Sequence, residues 1–149
     1  MATLLFYNAN PLKLRTRDCV YRAISVFLGV GWRDALDEIV RWAADRGRTN
    51  FNYRSNYNEF LKEKGYERNG SPEKGITVAE FCERYAEKGR MYILSCPGHL
   101  TVATWPEHLS ECVIVDTWDC SAKVVDGYWV RESRPIRKFS GGCSGVFQK

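Results

Sequence analysis

Arg17-Asp18-Cys19-Val20-Tyr21-Arg22-Ala23-Ile24-Ser25-Val26-Phe27-Leu28-Gly29 is the stretch on which the reading of the fold turns. Apolar residues at 20, 23, 24, 27 and 28 recur at the helical period, so the segment is a helix with one buried face. Asp18 is a favourable N-cap residue and Gly29 a favourable stop, which puts Cys19 at the first helical position. A thiol attacks as its thiolate, and the unpaired N–H groups and dipole of a helix N-terminus favour that anion. Cys19 is therefore a candidate nucleophile, against the plainer reading of a small buried hydrophobe.

Upstream, Leu4–Tyr7 is a short apolar run that forms an edge strand or packs as an arm, and Asn8-Ala9-Asn10-Pro11 is a turn signal. Downstream, a second helix is expected from Trp32 to Asp45 with Gly47 ending it, and a third from Ser55 to Lys64. Asn69-Gly70-Ser71-Pro72 reads as a break, and Thr77-Val78-Ala79-Glu80 as a capping box for a fourth helix ending near Gly89. The character then changes. Arg90–Ser95, His99–Trp105, Glu111–Asp116 and Lys123–Val130 are rich in β-branched and aromatic residues and are bounded by turn residues. Helices followed by antiparallel strands make an α+β arrangement.

The chain has 149 residues, 44% of them hydrophobic, which suits one domain over 1–149 with residues 1–10 and 139–149 peripheral. No apolar run is long enough to cross a bilayer, and the N-terminus shows no basic leader. The expectation is a soluble, cytoplasmic protein without a membrane partner. A formal charge of +4, scattered apart from Lys13–Arg17 and Arg131–Lys138, gives no concentrated basic stripe, so nucleic acid is not the expected partner. The six cysteines contain no C-x-x-C pair. Cys112 and Cys120 with His108 bracket a metal only loosely, so no metal and no cofactor is expected. Cys96 reads as structural.

A nucleophilic cysteine needs a histidine beside it, and the chain offers only two. His108 lies in a turn-like segment, whereas His99 follows Pro97-Gly98 and opens a strand. If His99–Trp105 and Glu111–Asp116 form a hairpin, the start of one lies beside the end of the other, which brings Asp116 to His99. Its carboxylate would orient the imidazole, with Asp119 the alternative. Trp118 could cover the His–Asp bond, and Arg22, one turn beyond Cys19, could face the cleft.

Asp18-Cys19 heading a helix, Gly98-His99 opening a strand and Asp116-Thr117-Trp118 closing the next resemble the papain-like cysteine peptidases. The strings from Arg15 to Ile24, Gly98–Thr101 and Val115–Asp119 are also similar to small cysteine-peptidase-like proteins of phages and bacteria. The resemblance implies a papain-like fold, with the nucleophile helix packed on a C-terminal antiparallel sheet. It implies a catalytic set of Cys19, His99 and Asp116, supported by Trp118 and Asp18, acting on a peptide or protein substrate through a thioester. If the chain is viral, its location would be the host cytoplasm. One element departs from the family pattern. No glutamine precedes Cys19 to build the oxyanion hole, and Asn10 or Asn8 is left to supply the amide. Losing one such donor costs roughly 100- to 1,000-fold in turnover, so a scaffold acting by contact with a protein partner is the second expectation.

Overall fold

A computed structural model describes residues 2–14 and 16–133. Arg15, the basic run beyond Ser133, Cys143 and the 139–149 tail lie outside the described residues. Among the described residues the order is β1 (Thr3–Phe6), α1 (Cys19–Leu28), α2 (Trp32–Asp45), α3 (Arg54–Glu63), β2 (Asn69–Gly70), α4 (Val78–Arg84), β3 (Arg90–Cys96), β4 (His99–Trp105), β5 (Val113–Asp116) and β6 (Gly127–Glu132).

The strands form one sheet in the order β1-β5-β4-β3-β6-β2. Its centre is antiparallel, as expected, but β1 pairs with β5 in parallel, from Thr3 opposite Val113 to Phe6 opposite Asp116. The sheet is thus mixed rather than antiparallel. Within the stretch read as a peripheral arm, Tyr7, Ala9 and Asn10 are buried. Asn69-Gly70, read as a break, makes a two-residue strand on β6, which itself starts four residues later than the run read from sequence.

Helices cover both faces of the sheet. Strand residues alternate between two cores because successive side chains point to opposite faces. Met91, Ile93, Leu100, Val102, Val113 and Val115 pack with α1 to α3 around Ile24, Phe27, Trp42 and Phe60. Tyr92, Leu94, Ala103 and Ile114 pack with α4 through Val78, Phe81 and Cys82. The fourth helix therefore leaves the group that carries Cys19. Its capping box forms as the sequence implies, with Thr77 Oγ1 accepting from the Glu80 N–H and Glu80 Oε1 from the Thr77 N–H, both at 3.1 Å. It ends at Arg84, short of Gly89, because the chain must turn into β3, where the Gly89 N–H donates to the Trp105 carbonyl. Among the described residues no helix is long and apolar enough to cross a membrane.

Two local features fix the site. The helix α1 starts at Cys19, packs against β4 and ends on Gly29, whose φ of 70° lets its N–H reach the Ser25 and Val26 carbonyls. Strands β3 and β4 are joined by Pro97-Gly98 alone, with Cys96 opposite His99. Proline first and glycine second, with Gly98 at φ 71°, is a tight turn that only glycine enters without strain, and it sets His99 as the first residue of β4.

Candidate active site

The N-terminus of α1, the head of β4 and the tail of β5 meet at one end of the sheet. In the β4–β5 register, Val102 faces Val115, so Asp116 lies opposite Thr101 and diagonal to His99. A diagonal neighbour is within reach of long side chains. His99 Nε2 meets Asp116 Oδ2 at 2.6 Å, and both groups are buried. Asp119 is exposed, and its Oδ1 accepts from the Ser121 N–H, so Asp116 is the carboxylate on the imidazole. His108 is exposed on the β4–β5 connection and takes no part in the cluster.

The charges of the three groups reinforce one another. Burial pushes the Cys19 thiol up, but the neighbouring His99 ring, the Leu100 backbone N–H and the positive charges of His99 and Arg22 outweigh it, and the thiol is held below its ordinary range. Burial pushes His99 down, yet Asp116, Cys120 and Cys19 around its ring prevail and raise it to about 11. Burial raises Asp116, and the bond from His99 more than offsets this, so the carboxyl stays below its usual value. Each shift favours a thiolate beside an imidazolium, oriented by a carboxylate.

Asp18 does something other than the capping expected of it. It occupies the N-cap position, but its side chain caps nothing. Oδ1 instead pairs with Arg22 one turn on, and Oδ2 accepts from the Trp32 indole N–H at 3.1 Å. Arg22 also lies 3.7 Å from Asp116 Oδ1, so it ties the start of α1 to the end of β5. The Asp18 carboxylate therefore takes up none of the first-turn N–H groups at the head of α1.

Trp118 lies over the imidazole, ring centres 4.9 Å apart, and stays 44% exposed, so it screens one side of His99 from water. The sequence reading set Cys120 beside Cys112 and His108 as a loose metal bracket and did not foresee its contact with Asp116. This buried thiol donates to Asp116 Oδ2 at 3.4 Å, beneath the His99 bond. Its signal was available in the spacing, since a residue four beyond Asp116 can return to the same carboxylate through a turn. His99, Asp116 and Cys120 bring ligand atoms within 4.8 Å of one another, the one such trio among the described residues. Two donors on a tetrahedral metal with bonds of 2.0–2.2 Å stand roughly 3.3–3.6 Å apart. The 2.6 Å between Nε2 and Oδ2 fits a shared proton instead.

Cys19 and His99 open onto a cleft of ≈ 1150 Å³, and no described segment of the chain fills it. Asn8 lines this cleft; its Nδ2 donates to the Leu14 carbonyl and its Oδ1 accepts from the Asn10 N–H. Asn10 does not line it: buried, it turns its Oδ1 to the Leu12 N–H. Of the two candidate amides only Asn8 is brought to the site. Cys96 also borders the cleft, but burial raises its thiol to about 12, in keeping with a structural role. No family model, curated protein or solved structure matches this chain.

Proposed function

We propose that the cleft is the active site of a thiol hydrolase that cleaves an amide or isopeptide bond through a thioester on Cys19. The observation that carries this reading is the histidine at the head of β4, set between a thiol with lowered pKa at a helix N-terminus and a buried carboxylate 2.6 Å from its Nε2. Cys19 Sγ attacks the carbonyl carbon, forming a C–S bond while the carbonyl oxygen takes the electron pair. The tetrahedral intermediate collapses with breakage of the C–N bond, and the proton on the His99 imidazolium goes to the departing amine. Water then attacks the thioester with neutral His99 taking its proton. The C–S bond breaks, the carboxylic acid leaves, and the pair is restored.

The Asp116 carboxylate holds the imidazole in register and stabilises its charged form. The Cys19 backbone N–H and the side-chain amide of Asn8, which lines the same cleft, would serve the developing oxyanion in place of the glutamine that papain-like peptidases use. A papain-like fold belongs to the same proposal. It is supported by the order Cys, His, Asp and by the packing of α1 on β4, while the parallel β1 and the opposite placement of α4 are local departures.

The test is reaction with a peptidyl electrophile that acylates active thiols. Cys19→Ala and His99→Ala should each abolish it while leaving the far-ultraviolet circular dichroism unchanged; full reaction of Cys19→Ala would exclude the reading. The contact-only alternative draws on one observation, the Asn8 amide already engaged by the Leu14 carbonyl. Its mark would be a protein partner bound equally well by Cys19→Ala, with no acylation of the wild-type chain.

A further inference from the structure

The cleft carries charge that the thiol chemistry does not use. Three guanidinium groups line it, those of Arg17, Arg22 and Arg54, and no described lining residue is acidic. Arg22 is held internally by Asp18 and Asp116. Arg54 shares Asp126 with Arg68, at 2.9 and 3.0 Å, so two positive charges meet one carboxylate. Arg17, two residues before the nucleophile, is exposed and has no ion pair among the described residues. The cleft therefore offers two uncompensated positive charges, Arg17 two residues before Cys19 and the Arg54–Arg68 pair, whose Arg54 starts α3.

Exposed apolar surface borders the same cleft. Tyr53 is 64% and Leu14 51% exposed, and both border the same cleft as Trp118. Large apolar groups left in water beside isolated guanidiniums suit a side-chain-bearing chain with single carboxylates. A polyanion would call for a continuous basic stripe, and the two charges here come from separate segments, one before α1 and one at the start of α3.

We propose that the substrate is an acidic peptide, with a carboxylate side chain near the scissile amide read by Arg17 and one further along read by Arg54. The proposal rests on the thiol-hydrolase reading for its chemistry, but its binding can be measured separately. The carboxylate meets a planar fork of donors, which gives it two parallel N–H hydrogen bonds. Lysine at either position would keep the charge and lose that geometry.

The experiment is fluorescence anisotropy of the full chain with three identically labelled hexapeptides on a Gly-Ser-Tyr framework, differing only in Glu, Gln or Lys. Iodoacetamide labelling of Cys19 is followed in the same samples. The Glu peptide should bind about threefold or more tighter than the Gln peptide, and the Lys peptide weakest, with the preference shrinking as salt shortens the Debye length. Arg17→Gln combined with Arg54→Gln should erase the preference, and Arg17→Lys should restore only part of it. Both residues are exposed, so the variants keep the fold, which circular dichroism checks. Equal binding of the three peptides, or a Glu preference that survives the double variant, overturns the proposal. Displacement of the Glu peptide by a single-stranded oligonucleotide at far lower concentration would also overturn it, in favour of a nucleic-acid groove. Fast Cys19 labelling without a Glu preference removes the peptide class alone, whereas a Glu preference with an inert Cys19 removes the hydrolase and leaves an acidic-peptide binder.

Discussion

The thiols on the two sides of the sheet are treated in opposite ways. At the cleft, Cys19 is partly exposed at a helix N-terminus, and cationic neighbours hold its pKa down. On the α4 side, Cys82 is buried beside Cys112 and Cys120, and hydrogen bonding to Cys112 together with burial holds its pKa far up. The residue type is the same and the sheet is the same. What differs is whether a positive charge is placed to stabilise the anion, and on the proposed reading that difference separates the nucleophile from a packing cysteine.

Removing the packing on the buried side should give the largest effect. Phe81 is 1% exposed and contacts both Tyr92 and Tyr128 edge-on or tilted. Phe81→Ala should cost about 3–5 kcal/mol of stability, measured by urea unfolding. Below the transition it should raise the labelling of Cys82 and Cys112 while Cys19 keeps its reactivity at acid pH. If Cys19 lost its reactivity in step with Cys82, the two sides would not be independent.

Asp116→Asn works on the opposite side. With the carboxylate gone, His99 loses what raises its pKa and Cys19 loses part of its cationic partner. The thiolate–imidazolium pair exists above the lowered thiol pKa and below the raised imidazole pKa, so its pH window should close from both ends. The acid limb of Cys19 labelling should move up by about one unit or more, roughly tenfold in rate at a fixed acid pH. Stability responds with the opposite sign on each flank. Asp116, with its pKa depressed, contributes stability above its unfolded pKa that is lost as pH falls. His99, with its pKa raised, contributes stability that is complete below its unfolded pKa and is lost as pH rises through its folded value. Denaturant midpoints measured across pH should show both losses in the wild type and lessen both in Asp116→Asn.

Much of this frame is legible in the sequence, and the limits have physical causes. The boundaries of α2, Trp32 and Asp45, follow from its apolar periodicity, and those of β4 from a β-branched run opened by Pro97-Gly98, while β3 runs one residue past the Ser95 read from sequence, to Cys96. Both are local signals. The parallel pairing of β1 with β5 joins residues more than a hundred positions apart, and nothing in Leu4–Tyr7 names its partner. The placement of α4 on the far face depends on which side of β3 the chain crosses, which periodicity does not encode. Asp18 misled for a related reason: capping is the usual local use of its carboxylate, but Arg22 and Trp32 compete for it and win. The meeting of His99 with Asp116 was readable because the chain has only two histidines and one antiparallel pairing brings Asp116 to His99. The contact of Cys120 with Asp116 was not foreseen because it runs through a turn rather than a regular element.

Smaller effects sharpen the contrast. Trp118→Ala removes the cover over the imidazole and should slow acylation about threefold, because water then competes for the His99–Asp116 bond. Cys120→Ala removes one weak donor from Asp116 and should change Cys19 labelling less than Trp118→Ala does. A Cys120→Ala effect larger than that of Asp116→Asn would show the buried thiol, not the carboxylate, to be the histidine's partner.

The most direct test of the central claim is the iodoacetamide rate at each cysteine, resolved by peptide mass spectrometry over about pH 5 to 9, for the wild type and His99→Ala. The account predicts rapid labelling of Cys19 well below the ordinary thiol pKa, slow labelling of Cys82, Cys96, Cys112 and Cys120, and a loss of roughly 100-fold at Cys19 near pH 6 in His99→Ala, where an ordinary thiol is almost entirely protonated. A Cys19 as slow as Cys82, or one whose acid-pH rate survives His99→Ala, would contradict it.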